Sequence, residues 1–244
     1  MYRGTYRIAE KNIAIESVYE MVQEMCADYQ TSQEADYVVH IDECDIDREA
    51  EASRKTRKVE GLPPYEFCRD YLETLAVYRK MVTCLLDDDI LLFHGSVVAV
   101  DGQAYLFTAK SGTGKSTHVR LWRQFFGDRA VMVNDDKPLM KVGKDSVTVY
   151  GTPWDGKHHL SSNVAVPLKA ICHLTRGSEN KIESITPFEA CQTLLQQTFM
   201  PEQPEKRIKM LQLVNMLSEN VKLYRLACNM DPDAAVVAYN GMKG

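Results

Sequence analysis

The sequence has no C-x-x-C pair and no cysteine/histidine cluster at zinc-site spacing, although it holds seven cysteines: Cys26, Cys44, Cys68, Cys84, Cys172, Cys191 and Cys228. An odd number at wide spacing argues against a disulfide framework or a zinc module and points to reduced, mostly buried thiols in a cytoplasmic protein. Long apolar runs are also missing. None approaches the ~20 residues that a bilayer-spanning helix requires, so no membrane role is expected. The first residues, Met1-Tyr2-Arg3-Gly4-Thr5, lack the apolar core of a secretory signal. Nor is there an excess of basic charge. The 29 Lys+Arg stand against 34 Asp+Glu, a net charge of −5, which disfavours nucleic acid as the main partner. No internal repeat or low-complexity stretch interrupts the chain. Its 244 residues are 45% hydrophobic and 26% charged, an ordinary globular composition. A chain of that size can bury roughly 70–75% of its extended surface without a covalent or metal staple.

The patterning divides the chain near residue 90. Residues 1–89 read as a small α+β region, with strands at Tyr6–Ile8, Ile13–Ile15 and Tyr37–Ile41 and helical apolar spacing from Val18 to Tyr29. Residues 42–60 carry charges with few apolar side chains and read as an exposed loop or irregular strand, with an interaction tail as the alternative. A long helix is expected over Tyr65–Leu86, with Phe67, Tyr71, Leu75, Tyr78 and Val82 on one face and Asp87-Asp88-Asp89 ending it. From Ile90 the chain turns β-rich. Ile90–Val100 and Gln103–Thr108 flank Asp101-Gly102, a strong hairpin signal, and Leu139–Val142 and Val147–Tyr150 form a second hairpin around Gly143-Lys144-Asp145. Further strands are expected at Ala130–Val133, Leu168–Leu174 and Val221–Ala227. The helix after residue 116 places Val119, Leu121, Trp122 and Phe125 inward and stops at Gly127; others follow at Pro187–Phe199, Glu205–Glu219 and from Asp231-Pro232. The fold class is therefore mixed α/β, an α+β mixed sheet with hairpins, and residues 90–244 form the candidate nucleotide-binding domain.

That assignment comes from Ala109-Lys110-Ser111-Gly112-Thr113-Gly114-Lys115-Ser116-Thr117. It matches the P-loop (Walker A) pattern G-x-x-x-x-G-K-[ST] except that Ala109 replaces the first glycine. Gly112 and Gly114 allow backbone amides to turn around phosphate oxygens, and the following helix presents its positive end to the same anion. Ser111 through Thr117 would hold the phosphates, with Lys115 on the β/γ-phosphates and the Ser116 hydroxyl on Mg²⁺. A predicted strand before the loop and a patterned helix after it support the match. Asp135-Asp136 lies about twenty residues beyond Lys115, at the end of a buried-type strand. One carboxylate there can serve Mg²⁺ and the other can take a proton from an attacking hydroxyl; which does which stays open. His94 ends an apolar run, where a lone histidine is more often a hydrogen-bonded structural group than a catalyst. Gly151-Thr152-Pro153-Trp154-Asp155-Gly156-Lys157 is either scaffolding or a flap that binds the acceptor through Trp154 and Lys157, and His158-His159 reads as polar loop.

In order, His94-Gly95-Ser96, a hairpin, Ser111–Thr117 and Asn134-Asp135-Asp136 resemble the catalytic domain of HPr kinase/phosphorylase and its smaller relatives. That resemblance covers roughly residues 90–175. It implies a phosphoenolpyruvate carboxykinase-like P-loop fold, Lys115 on the phosphates, Ser116 with Asp136 on Mg²⁺, Asp135 as general base and His94 in the active site. No counterpart of the family's Glu-Arg-Gly signature follows; residues 151–157 stand there instead, which argues against HPr as substrate and against the reverse phosphorylase reaction. Small relatives resemble kinases of free serine or of peptides. The expected activity is thus kinase-like transfer from ATP, GTP or another donor, with Mg²⁺, to a hydroxyl on a small molecule, peptide or protein. A catalytically silent nucleotide-binding or peptide-binding module is the alternative, and an oligomer is left open.

Overall fold

The computed structural model describes residues 1–59, 61–156 and 158–243. Its chain divides into two compact units, Met1–Cys84 and Leu85–Gly244.

In the first unit β1 (Tyr2–Ile8) and β2 (Lys11–Ser17) pair as an antiparallel hairpin. Its turn residues Ala9 and Glu10 have φ of 49° and 66°, the left-handed pair that matches strand twist across a two-residue connection. After the short helix α1 (Met21–Met25), β3 (Tyr37–His40) joins β2 in parallel. Two helices follow, α2 (Glu43–Val59) and α3 (Arg69–Leu85).

Residues 43–59 are therefore helix, where the charge pattern predicts an exposed loop or irregular strand. Few apolar residues suffice because α2 is held by charge. Arg69 pairs with Glu43 and with Asp47, Arg79 with Glu49, and Lys80 with Asp45. Ile46 is fully buried between the buried carboxylates of Asp45 and Glu49. Helix α3 begins four residues later than its periodicity predicts, beyond Pro63-Pro64, and Tyr71 is exposed while Leu72, Val77, Met81 and Leu85 are buried. Its Glu73 is completely buried and accepts the Val18 and Tyr19 amides at 2.5 and 2.9 Å. Burial pushes that carboxyl above the ordinary range.

The second unit is a mixed sheet with helices on both faces. In chain order its elements are β4 (Ile90–Leu92), β5 (Ser96–Val100), β6 (Gln103–Thr108), α4 (Lys115–Phe126), β7 (Ala130–Asn134), β8 (Leu139–Val142), β9 (Val147–Tyr150), β10 (Ala165–Arg176), β11 (Lys181–Ser184), α5 (Pro187–Gln197), α6 (Pro204–Asn220), β12 (Lys222–Cys228) and α7 (Asp233–Lys243). The order across the sheet is β4-β8-β9-β10-β6-β5-β7, with β12 pairing β10 and β11. Both hairpins form where Asp101-Gly102 and residues 143–145 place them. Strand β11 has only one half-buried residue, Ile182, in an exposed run and carries no strand periodicity of its own.

The apolar run Ile90–Val100 is two strands. Phe93-His94-Gly95 carries the chain from β4, beside β8, to β5, between β6 and β7. Gly95 is needed at that step, since a β-carbon would lie 2.9 Å from the Phe107 carbonyl oxygen and from Leu106.

Alternation along the strands feeds two cores. Val97, Ala99, Leu106 and Ile171 face a cluster closed by Leu194 of α5 and Met210, Leu213 and Leu217 of α6. Val98, Val100, Tyr105, Phe107 and Cys172 face the other, closed by Trp122 and Phe126 of α4 and Ala234, Ala235 and Ala238 of α7. Phe126 is buried there, whereas Phe125, expected inside, is 54% exposed. None of the seven cysteines is in a disulfide; only Cys26 and Cys172 are buried, while Cys44 and Cys68 are exposed. Among the described residues no helix is long and apolar enough to cross a membrane.

Trp122 sits at the centre of this second core, with ring centroids 4.9 Å from Tyr105, 5.1 Å from Phe107 and 5.3 Å from Phe126. Trp122→Ala is expected to cost about 3–5 kcal/mol of stability. Urea unfolding followed by circular dichroism checks this; a loss under about 1 kcal/mol would mean the cluster does not anchor α4.

Candidate active site

Strand β5 runs antiparallel to both β6 and β7. The ends of β6 and β7 therefore meet the start of β5 at one end of the sheet. Three sequence-predicted segments converge there: His94-Gly95-Ser96, the loop 109–116, and Asn134-Asp135-Asp136. They line a cavity of about 560 Å³ formed by His94, Ser111, Gly112, Gly114, Lys115, Ser116, Thr117, Asp135, Asp136, Gly156 and His158.

In the loop, Gly112 has φ of 76° and Gly114 has φ of 124°, conformations that side chains rarely adopt. No side chain caps the start of α4. The first intrahelical bond runs from the His118 amide to the Gly114 carbonyl at 2.9 Å, so the amides of Lys115, Ser116 and Thr117 precede the helical ladder. Arg176, at the end of β10, donates to the Gly112 carbonyl at 2.7 Å and braces the loop. Lys115 Nζ donates to the Ala109 carbonyl at 3.2 Å.

Asn134 shapes the acidic turn. Its side-chain oxygen accepts the Asp136 and Lys137 amides at 2.9 and 2.7 Å. Its Nδ2 donates to Thr152 Oγ1 at 3.1 Å, tying the turn to the segment after β9. The two aspartates then occupy different surroundings. Asp135 is 6% exposed, and Ser96 Oγ lies 2.9 Å from its carbonyl oxygen and 3.1 Å from Oδ1. Burial raises the Asp135 pKa, against the Ser96 hydrogen bond and the charge of His158. Asp136 is half-buried, with His94 Nε2 at 3.3 Å and Lys137 Nζ at 3.8 Å. Burial pushes its pKa up as well, but the His94 bond and the Lys137, His94 and Lys115 charges outweigh it and the net shift is downward. Burial lowers the Lys115 pKa, partly countered by both aspartates.

Trp154 is 3% exposed, so its indole is part of the packed interior and offers no face to an acceptor. Lys157 lies outside the described residues. His158, first read as polar loop, lines the cavity; Ser96, Gly156 and Arg176 also belong to the site. Nothing local in the sequence marks His158 or Arg176, which arrive through loop packing and sheet topology, whereas Ser96 and Gly156 stand within the His94-Gly95-Ser96 and 151–157 segments that the sequence singles out. Among the described residues no three His, Cys, Asp or Glu side chains are grouped to hold a metal ion. The donors available are the Ser116 hydroxyl and two carboxylates, hard oxygens of the kind Mg²⁺ takes alongside phosphate and water.

Two further cavities, each of about 450 Å³, flank the central one. One continues past Asp135 over α4, and the other lies across the loop between Leu174, Arg176, Asn229 and Met230.

The family model described as "SynChlorMet cassette protein ScmC" matches residues 71–233. The chain belongs to that family. Among solved structures it is similar to the Hpr(Ser) kinase/phosphatase from Coxiella burnetii, with 10% identity, 63% of this chain and 99% of that chain covered, and a TM-score of 0.33. No curated protein matches it.

Beneath the loop, His118 is buried and its Nε2 accepts the Trp122 indole N–H at 3.0 Å. The ring proton therefore sits on Nδ1, which has no hydrogen-bond partner among the described residues. Burial moves the His118 pKa from the usual 6.5 down to about 4. Because the folded-state pKa is depressed, this group's contribution is fully present above pH ~6.5 and is lost as pH falls towards 4, up to about 3 kcal/mol. His118→Gln should flatten the acid limb of a urea-denaturation series between pH 7 and 4; an unchanged slope would refute the neutral buried ring.

Proposed function

We propose that this chain is a Mg²⁺-dependent kinase moving the γ-phosphoryl of ATP, or of GTP or another donor, to a hydroxyl acceptor. The observation that carries this reading is the meeting of Lys115, the glycine loop and both aspartates in one cavity. The loop amides and Lys115 would hold the donor phosphates, with Ser111 to Thr117 as the cradle. Mg²⁺, when bound by Ser116 and Asp136 with phosphate oxygens, would neutralise charge on the group in transfer. His94 would orient Asp136. Asp135 would take the acceptor hydroxyl's proton: its Oδ1 faces Ser96 Oγ, and Oδ2 faces Gly156 on the cavity wall. The division of labour between the aspartates fits their surroundings. Asp136, drawn to the charged form by His94 and Lys137, suits a cation, and desolvated Asp135 suits a base. The cavity across the loop, lined by Leu174, Arg176, Asn229 and Met230 and with no carboxylate in its lining, would take the nucleoside. Catalysis would come mainly from positioning and charge neutralisation.

Lys115→Ala should reduce ATP-dependent transfer on the order of 10²–10³-fold with the circular dichroism spectrum unchanged. Asp135→Asn should keep nucleotide binding and lose transfer on the order of 10²–10⁴-fold. Labelled ATP with Mg²⁺ and hydroxyl acceptors reads both. Wild-type turnover in the Lys115 variant would sink the assignment, and tight nucleotide binding without any transfer by the wild type would identify the silent binding module.

A further inference from the structure

We propose that the cavity beyond Asp135 is the acceptor subsite and that it selects a hydroxyl flanked by acidic groups on an extended peptide segment. This rests on the phosphotransfer reading above. The cavity, about 450 Å³, shares Ser116, Thr117, Asp135 and His158 with the central one, so the two are continuous at the proposed base. Its remaining lining is Val119, Arg120, Arg123, Met132 and Leu160. A molecule seated there would reach Asp135 without crossing the loop.

The two arginines give the cavity its preference. The second unit has six arginines, and four are engaged: Arg129 with Asp101, Arg176 with the Gly112 carbonyl, Arg207 with the Pro201 carbonyl, and Arg225 with Glu183 and Glu189. Arg120 and Arg123 have no hydrogen-bond or ion-pair partner among the described residues. Guanidinium groups are suited to carboxylates, which they bind as a planar fork. The apolar surface between them, from Val119, Met132 and Leu160, would hold the aliphatic part of a neighbouring residue.

Spacing argues for an extended acceptor. Ser116, Arg120 and Arg123 stand at i, i+4 and i+7 on one face of α4. At 1.5 Å rise per residue, the arginines attach about 6 and 10 Å along the axis from Ser116. An extended chain covers that distance in roughly two to three residues. Acids so placed would meet the arginines while staying clear of Asp135, which repels an anion set directly against it. Free serine carries its carboxylate on the same carbon as its hydroxymethyl group and is too short to meet both.

Decapeptides with one central Ser test this, in three forms: Glu at positions two and three on either side, Gln there, or Lys there. Free L-serine is the fourth acceptor, all with labelled ATP and Mg²⁺. The acidic peptide should exceed the Gln peptide at least tenfold in kcat/KM and the Lys peptide by more. R120E/R123E should raise the KM for the acidic peptide at least tenfold, leave the ATP KM unchanged and invert the preference towards Lys. The milder R120Q/R123Q, which keeps helix propensity, should abolish the preference without inverting it. Equal rates for all peptides, preference for free serine, or a raised ATP KM with an unchanged peptide KM would overturn the proposal while leaving the kinase reading intact. Fluorescence anisotropy of the labelled acidic peptide separates the two ideas. Binding that is lost in R120E/R123E, in a wild type that transfers nothing, would support the subsite and sink the kinase; equal binding of acidic and Lys peptides would overturn the subsite.

Discussion

Strand β5 lies antiparallel between β6 and β7, and the whole candidate site depends on that reversal. A strand running opposite to its two neighbours starts where they end. The ends of β6 and β7 carry the glycine loop and the aspartate pair, and the start of β5 carries His94 and Ser96. All five residues of β5 are buried, with alternate side chains feeding opposite cores. A slip of one residue would turn both sets to the wrong face, so its register is strongly specified. Packing of an apolar strand thereby fixes the distance between a lysine and two carboxylates that are far apart in sequence.

The electrostatics follow from this convergence. Two adjacent carboxylates and one lysine share a poorly solvated corner, and each responds differently. Asp136 is drawn to its charged form by His94 and Lys137 beside it; Asp135 has the Ser96 and Ser116 hydroxyls and the charge of His158, and burial prevails. Lys115 loses solvation too, with the aspartates offsetting part of the cost. A polyphosphate with its cation would compensate these groups together, supplying negative charge to Lys115 and positive charge to the acids.

Much of this was legible in the sequence, for local reasons. Asp101-Gly102 and Gly143-Lys144-Asp145 demand particular turns, so both hairpins could be placed within a residue. The glycine loop and the double aspartate announce themselves by composition. What was hidden depends on long-range packing. Helix α2 has too few apolar residues to show periodicity, since its stabilising partners, Arg69, Arg79 and Lys80, lie on α3. Strand β11 forms because β12 is there to receive it. Arg176 and His158 enter the site from two separate segments. Of the two readings of residues 151–157, scaffolding or an acceptor-binding flap, the burial of Trp154 favours scaffolding at that residue.

On the proposed reading, helix α4 would couple the two halves of the chemistry. One of its faces is fixed by Trp122 and Phe126 among the aromatics of the second core, and its first turn carries Lys115, Ser116 and the open amides. The solvent side of the same rigid rod carries Arg120 and Arg123. Side chains on one helix cannot drift relative to each other by more than their rotamers allow, so the proposed donor cradle and acceptor clamp share one frame. On that reading the aromatic anchor would serve function as well as stability, holding the acceptor's acids at a set distance from the phosphate in transfer. Proximity in that frame would cost little entropy at the moment of reaction, and direct phosphoryl transfer depends on positioning of this kind.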